Sequence, residues 1–236
     1  MPVYELPEDE IWFPPESEYD DDIVAVGGDL DPRRLLSGYA RGIFPWYNNP
    51  GEILWWCPEQ RCVLNPSEVH ISHSMRNLIN RDIFHVTMDT SFTDVIEGCR
   101  EGERENATWL FDEMAEAYTR LHELGYAHSI EVWQSDQLVG GLYGLSLGRV
   151  FFGESMFSRV PNSSKVGFIR LSQYLHSNGW KLLDCQVHTP HLESLGAKTM
   201  ERHDFLELLQ EELAYETLTG KWSFDKKLDP VSFYNR

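Results

Sequence analysis

The stretch that decides the fold is Val150–Ser158, which reads VFFGESMFS. It is an apolar run of strand-forming residues with a single carboxylate, Glu154, in its middle. A second short run at 182–187, LLDCQV, repeats the pattern with Asp184. A carboxylate in an apolar strand is costly unless it is paired, and such groups are often functional. We therefore expect these two strands to form the floor of an active site.

The residues around the opening stretch predict one mixed sheet. Strands are expected at 129–133, 138–145 and 150–158, joined by short turns, which is typical of an antiparallel meander. A helix at 165–177 then precedes the strand at 182–187, and this order predicts a parallel crossover onto the same sheet. The expected fold class is α+β with a mixed, mostly antiparallel sheet. Further helices are expected at 32–40 (capped by Asp29 or Asp31), 67–81 (with Ser67 or Ser72 near its start), 92–99, 112–124, 191–195 and 202–214.

The charge of the chain limits its partners. Acidic residues number 38 against 20 basic ones, for a formal net charge of −18. This balance predicts no general binding to nucleic acid, so any such contact should be small and local. It favours a cationic partner such as a basic peptide, or simply keeps the protein soluble.

Composition also bears on the compartment. No run approaches the roughly 18 apolar residues of a membrane helix, and the acidic N-terminus does not resemble a signal peptide. The 4 cysteines do not suggest a disulfide scaffold, so we expect reduced thiols in a cytoplasmic protein.

The strand at 182–187 carries the clearest polar pair. Side chains alternate along a strand, so Asp184 and Gln186 should share one face, with Cys185 on the other. The pair could bind one substrate, or could be a buried pair that satisfies a helix end. Cys185 is more typical of a core thiol than of a nucleophile. His70 and His73 have no third ligand at suitable spacing, so no metal site is predicted.

Aromatic residues concentrate between 44 and 56, among them Trp46, Trp55 and Trp56. They are typical either of the core of a small lobe or of a platform on which a planar base stacks. The sequence lacks the glycine-rich phosphate loops and the GxSxG elbow of familiar enzyme classes.

The predicted order of strands and helix resembles the acyltransferase core of the N-acetyltransferase superfamily. The turn that would hold the pyrophosphate of an acyl-CoA, at 158–165, reads SRVPNSSK and has no glycine, which disfavours acyl-CoA. Specific motifs of the chain closely resemble the bacterial leucyl/phenylalanyl-tRNA–protein transferases. These motifs are GIFPW at 42–46, LWWCP at 54–58, RLHELG at 120–125, AHSIEVW at 127–133, FGESMFS at 152–158 and LDCQ at 183–186.

This resemblance implies a small N-terminal lobe at 1–62, an acyltransferase-like catalytic domain at 63–236, and no cofactor. It implies transfer of Leu, Phe or Met from aminoacyl-tRNA to the N-terminal Arg or Lys of a protein, which marks that protein for N-end-rule degradation. Gln186 would orient the attacking amine and Asp184 would polarise Gln186. Either Asp184 or a water would take the proton, and Glu154 would bind the cationic acceptor. The implied substrate-binding residues are Trp46 and Trp109 for the terminal adenosine, and Leu142, Met156, Ser158, Phe168, Leu171 and Leu175 for the donor side chain.

Contact with the tRNA body is expected to be weak. The family's helix near 72–81 is usually richer in basic residues, and here Asn77, Asn80 and Asp82 dilute it. The candidate contacts are Arg61, Arg76, Arg81 and Lys165. We expect a monomer. The alternatives are an acyl-CoA-dependent N-acyltransferase on the same fold and a non-catalytic acidic module that binds basic peptide termini.

Overall fold

A computed structural model describes residues 3–49, 51–102 and 110–224. In chain order, the strands are β1 (Tyr4–Leu6), β2 (Ile23–Gly27), β3 (Phe44–Pro45), β4 (Leu54–Trp56), β5 (Gln60–Leu64), β6 (His85–Met88), β7 (Ala127–Gln134), β8 (Gln137–Leu147), β9 (Val150–Ser158), β10 (Leu182–Gln186) and β11 (Lys198–Glu201). The α-helices are α1 (Pro32–Tyr39), α2 (His73–Asn80), α3 (Phe92–Gly102), α4 (Asp112–Glu123), α5 (Ser163–Ser177), α6 (Pro190–Glu193) and α7 (Arg202–Leu213). Short 3-10 turns occupy Glu16–Glu18 and Pro66–Glu68.

The larger sheet has seven strands in the order β11-β5-β10-β9-β8-β7-β6. Strands β7, β8 and β9 form the predicted antiparallel meander, and β10 pairs with β9 in parallel after the crossover through α5. The other pairings of this sheet in the described chain are antiparallel. The predicted α+β class with a mixed, mostly antiparallel sheet is therefore confirmed.

The smaller sheet has four strands in the order β1-β2-β4-β3, with β1 and β2 parallel. All four lie within the first 62 residues, where we expect the small lobe. Strand β5 spans the expected boundary between residues 62 and 63, and it pairs in the larger sheet with β10 and β11. The division into lobe and catalytic domain stays a prediction.

Of the two starts expected for the helix within 67–81, Ser67 was wrong and Ser72 is confirmed. A 3-10 turn at Pro66–Glu68 comes first, and α2 begins only after Ser72, whose hydroxyl oxygen accepts a hydrogen bond from the Met75 backbone N–H at 3.3 Å. A serine at the N-cap satisfies a backbone donor that would otherwise lack a partner, so the helix starts there. Of the two caps expected for α1, Asp29 and Asp31, the structure shows Asp31, and the predicted starts of α1, α4 and α7 are confirmed.

Two apolar clusters cover the two faces of the larger sheet. One contains side chains of α1, α3, α4 and α7 together with the aromatic residues of the small sheet, including the fully buried Trp55. The other contains the apolar faces of α2 and α5. The sheet is thus held between helical layers, which keeps its strands rigid near the site. None of the helices within residues 3–49, 51–102 and 110–224 combines the length and the hydrophobicity that a membrane span requires.

Candidate active site

The pairing of β9 and β10 stops halfway along β9. The two strands pair in parallel from Val150 with Leu182 to Phe152 with Asp184, and no further. Beyond that point each strand carries a bulge against its other neighbour. Glu154 is the extra residue of β9 opposite β8, and Cys185 is the extra residue of β10 opposite β5. A bulge bends its strand and changes the direction of its side chains, so the strands separate here.

A glycine makes the first bulge possible. Gly144 of β8 pairs with Gly153, directly before Glu154. A Cβ atom at position 144 would lie 2.2 Å from the carbonyl oxygen of Phe152, which no side chain can tolerate. The close approach of the two backbones therefore depends on the missing side chain.

A cavity of about 440 Å³ lies where the strands separate. Its apolar wall consists of Leu142 and Met156, which are cross-strand partners, and of Phe168 and Leu171 from α5. Among the other residues that line it are Phe44, Pro45, Trp46, Glu154, Cys185, Gln186, Val187, Thr189 and His191. A mostly apolar cavity with a few convergent polar groups is the usual form of a small-molecule site.

Glu154 is the polar centre of this cavity. The hydroxyl of Tyr39 donates to Glu154 Oε1 at 2.7 Å, and the hydroxyl of Tyr118 donates to Oε2 at 2.7 Å. The two phenols also contact each other. The side-chain amide of Gln186 donates from Nε2 to Oε1 at 2.9 Å. The carboxylate is thus held in one orientation by donors from α1, α4 and β10.

Burial raises the pKa of Glu154 to about 7. Hydrogen bonds from Tyr39 and Tyr118 act in the opposite direction because they favour the ionised form; the charge of Asp184 raises the pKa and that of Arg61 lowers it. Burial also raises the pKa of each of these two tyrosines well above its ordinary value, so both remain hydrogen-bond donors. Near neutral pH, Glu154 can therefore both accept and release a proton, which suits a general base.

Asp184 does not lie where a role in polarising Gln186 or taking the proton would require it. It is fully buried, and both of its oxygens bind the guanidinium of Arg61, at 2.8 and 2.6 Å. Its contact with Gln186 runs through the backbone, because Oδ1 accepts from the Gln186 N–H at 2.9 Å. Asp184 does not line the cavity, so the expectation that it polarises the Gln186 side chain or takes the proton from the amine does not fit this geometry.

Arg61 also requires a correction. We expected it at the tRNA surface, but it is fully buried beside Asp184 and cannot reach a phosphate. Arg76 and Arg81 are exposed on and after α2, and Lys165 is partly exposed in the first turn of α5. Their role in binding tRNA stays a prediction.

The other predicted substrate residues divide into two groups. Trp46, Leu142, Met156, Phe168 and Leu171 line the cavity. The lining residues of the described chain do not include Ser158, whose hydroxyl contacts that of Ser163 at 2.8 Å, or Leu175, which is buried in the core. Trp109 lies outside the described residues.

Sequence reasoning missed Tyr39 and Tyr118. Both were expected only as residues inside helices. A buried tyrosine usually requires a hydrogen-bond partner for its hydroxyl, and that requirement was the available signal. The prediction that side chains simply alternate along β10 was also incomplete, because Gln186 has a positive φ of 61° after the bulge. Cys185, expected in the core, is buried but lines the cavity.

The chain matches known proteins over most of its length. A family model described as "Leucyl/phenylalanyl-tRNA protein transferase" matches residues 63–210, and one for the N-terminal domain of the same proteins matches residues 28–59. A leucyl/phenylalanyl-tRNA–protein transferase of Flavobacterium johnsoniae is 52% identical over 85% of this chain and 96% of that protein. Another of this name, from Desulfatibacillum aliphaticivorans, is 47% identical over 96% of this chain and 98% of that protein. Among solved structures, an aminoglycoside acetyltransferase from a soil metagenome aligns with a TM-score of 0.37 at 14% identity, over 62% of this chain and 99% of that one.

Proposed function

The chain belongs to the leucyl/phenylalanyl-tRNA–protein transferase family, and from this premise we propose that it transfers Leu, Phe or Met from aminoacyl-tRNA to the N-terminal Arg or Lys of acceptor proteins. The enzyme is an aminoacyltransferase whose donor is an aminoacyl-tRNA and whose acceptor is a protein. The observation that carries the finer proposal is Glu154, held by three donors at the edge of an apolar cavity with a pKa of about 7.

The reaction is an aminolysis of an ester. The α-amine nitrogen of the acceptor attacks the carbonyl carbon of the aminoacyl group; a C–N bond forms, the bond to the tRNA 3′ oxygen breaks, and that oxygen leaves with a proton. We assign the proton transfer to Glu154, which receives a proton from the attacking amine and returns one to the leaving oxygen. This assignment replaces Asp184 as the proton acceptor.

Gln186 orients the amine in this scheme. Its Nε2 is bound to Glu154, so its carbonyl oxygen Oε1 is directed away from that bond, and no hydrogen bond to this oxygen is found in the described chain. An amide oxygen is a very weak base but a good acceptor. It can therefore hold one N–H of the amine while Glu154 takes the proton.

The donor fits the remaining walls. The apolar wall of Leu142, Met156, Phe168 and Leu171 suits an amino acid side chain that is apolar and unbranched at Cβ. Trp46 lines the same cavity, and its indole ring suits stacking on the terminal adenosine, together with Trp109. No phosphate-rich cofactor is needed, since the ester is already activated.

The charge of the chain bears on the acceptor, and its cysteines bear on the cellular compartment. An N-terminal Arg or Lys is cationic, and the net charge of −18 attracts such a peptide over distance. We propose a monomer that works in the cytoplasm, where aminoacyl-tRNA is made, and that its product is marked for N-end-rule degradation. Four buried cysteines without disulfides among the described residues suit that compartment.

The direct test offers labelled Leu-, Phe-, Met- and Val-tRNA, each with one peptide that begins with Arg. Transfer is expected from the first three, and Val should transfer poorly because its branched Cβ collides with the apolar wall. A peptide that begins with Asp serves as the acceptor control, and acetyl-CoA replaces the charged tRNA as the donor control. Transfer from acetyl-CoA, or none from any charged tRNA, would contradict the proposal.

Trp46 provides a further prediction. The change Trp46→Ala should raise the KM for aminoacyl-tRNA about 5- to 150-fold, because base stacking contributes roughly 1–3 kcal/mol, while kcat changes less. Steady-state kinetics with Leu-tRNA measures both. The matched control is Trp12→Ala, since Trp12 is exposed, contacts Tyr4 and does not line the cavity. Equal KM values for the two variants would rule out stacking on Trp46.

A further inference from the structure

The ion pair of Arg61 and Asp184 is buried beneath the active site without touching the cavity. Both side chains are at most 1% exposed, and the two hydrogen bonds measure 2.8 and 2.6 Å. The guanidinium lies between the rings of Phe44 and Phe205, each centroid 4.6 Å from Arg61 Cζ. Arg61 Nη1 has no hydrogen-bond partner in the described chain. A buried pair with one unsatisfied nitrogen is a poor source of stability, so its presence calls for another explanation.

The pair connects two walls of the cavity. On one side, Asp184 Oδ1 accepts from the Gln186 backbone N–H at 2.9 Å. Gln186 has a φ of 61°, a backbone conformation that is strained for residues other than glycine and that the surrounding structure must support. On the other side, the guanidinium packs on Phe44, which lines the cavity two residues before Trp46.

We infer that Arg61 is a positioning residue for the transfer reaction. By holding Asp184, it fixes the turn that directs the Gln186 amide onto Glu154, and its charge balances that of Asp184 beside the Glu154 carboxylate. No part of this role requires contact with either substrate. The effect on the rate rests on the proposed function, whereas the effect on Glu154 can be measured without any substrate.

The charge balance gives a signature that a purely structural residue would not. The groups that shift the pKa of Glu154 are Tyr39 on α1, Tyr118 on α4, Arg61 on β5 and Asp184 on β10, with the neutral Gln186 beside them. The other titratable groups that line the same cavity are Tyr143 on β8, Cys185 on β10 and His191 on α6. Arg61 lowers the pKa of Glu154 and Asp184 raises it. In Asp184→Asn, the cation remains unopposed, so the pKa of Glu154 should fall. Adding Arg61→Met should raise it again toward the wild-type value.

An NMR titration of glutamate side-chain carboxyl carbons in the free protein measures these shifts. The expected order of Glu154 midpoints places D184N below both wild type and R61M/D184N. A midpoint that does not change when R61M is added to D184N would overturn the charge role of Arg61. If the midpoints shift as expected while the wild-type protein transfers no amino acid, only the proposed function fails.

A second comparison separates the hydrogen bond from the charge. R61M/D184N and R61M/D184L both lack the ion pair, but only the asparagine retains an oxygen that can accept from the Gln186 N–H. We expect R61M/D184N to transfer Leu about 10²-fold faster, since misplacing a reacting group by about 1 Å can cost that much. Thermal melting checks that both variants fold, and equal rates in two folded variants would overturn the step in which the oxygen of residue 184 holds the Gln186 turn.

Arg61→Lys completes the set. Lysine keeps the charge but cannot form the bidentate pair or lie flat between two rings. The midpoint of Glu154 should stay close to that of the wild type, while kcat falls and the KM for aminoacyl-tRNA changes less. A normal kcat in R61K would show that the planar pair is unnecessary and would overturn the geometric part of the inference.

Discussion

Replacement of Glu154 by glutamine is expected to lower kcat for aminoacyl transfer about 10²- to 10⁴-fold, the usual loss when a general base is removed. Glutamine keeps the size of the side chain and can still accept from Tyr39 or Tyr118, but it cannot take a proton from the amine. Binding of Leu-tRNA should persist, because the apolar wall and Trp46 are unchanged. Single-turnover transfer and filter binding measure the two effects separately.

The matched control is Glu18→Gln. Glu18 also accepts a hydrogen bond from a tyrosine, Tyr4, but both lie in the exposed N-terminal region outside the cavity. Its kcat should equal that of the wild type. If Glu154→Gln transfers at the wild-type rate, or if its loss of rate is matched by a loss of binding, Glu154 is not the base.

The assignment of Glu154 as the general base also predicts how kcat/KM depends on pH. Below a pKa of about 7, Glu154 is protonated and cannot accept a proton, so kcat/KM should rise with pH through about 7. The pKa of the acceptor's α-amine is about 8, so deprotonation of this amine adds a second rise in kcat/KM. In Glu154→Gln, only the amine-dependent rise should remain. A midpoint near 7 that persists in this variant would assign the titration to another group.

The second large effect is expected at Gln186. The change Gln186→Ala removes both the donor to Glu154 and the oxygen assigned to orient the amine. We expect kcat to fall about 10²-fold, the scale of a misplaced reacting group, with little change in KM for Leu-tRNA. Gln60→Ala is the matched control, because the Gln60 amide also donates to a carboxylate, Glu201, at 2.5 Å but on the protein surface.

A third variant separates reach from backbone strain at this position. Asparagine tolerates a positive φ better than most residues, but its amide is one methylene shorter and cannot reach Glu154. Gln186→Asn should therefore be nearly as slow as Gln186→Ala. If Gln186→Asn transferred at close to the wild-type rate, the backbone conformation and not the amide contact would be what matters.

Much of the sheet could be predicted because its signals are local. The run from Val150 to Ser158 has one apolar pattern, and short turns join the strands of the meander. Strands β1, β3, β4, β5 and β11 were not predicted. Strand β5 contains the charged residue Arg61, so its hydrophobicity pattern does not indicate a buried strand. Strand β11, with the sequence KTME, is mostly polar and lies at the edge of the sheet.

The candidate site was predicted in part. Glu154, Gln186, Trp46 and most of the apolar wall were named from the motifs, and the structure brings them to one cavity. Asp184 and Arg61 were also named, but each with a role that its burial does not allow. A sequence shows that a carboxylate and a guanidinium are present; whether they meet depends on a contact across 123 residues of chain.

By itself, the sequence determined the class of fold, the family and the presence of a carboxylate in an apolar strand, because propensity, alternation and motifs are properties of neighbouring residues. Only the tertiary structure decided how that carboxylate is used. The two bulges lie at Glu154 and Cys185, the first made possible by the missing side chain of Gly144 on the neighbouring strand, and they separate β9 from β10. Burial among tyrosines from α1 and α4 then sets the proton affinity of Glu154, since desolvation depends on everything that surrounds a charge.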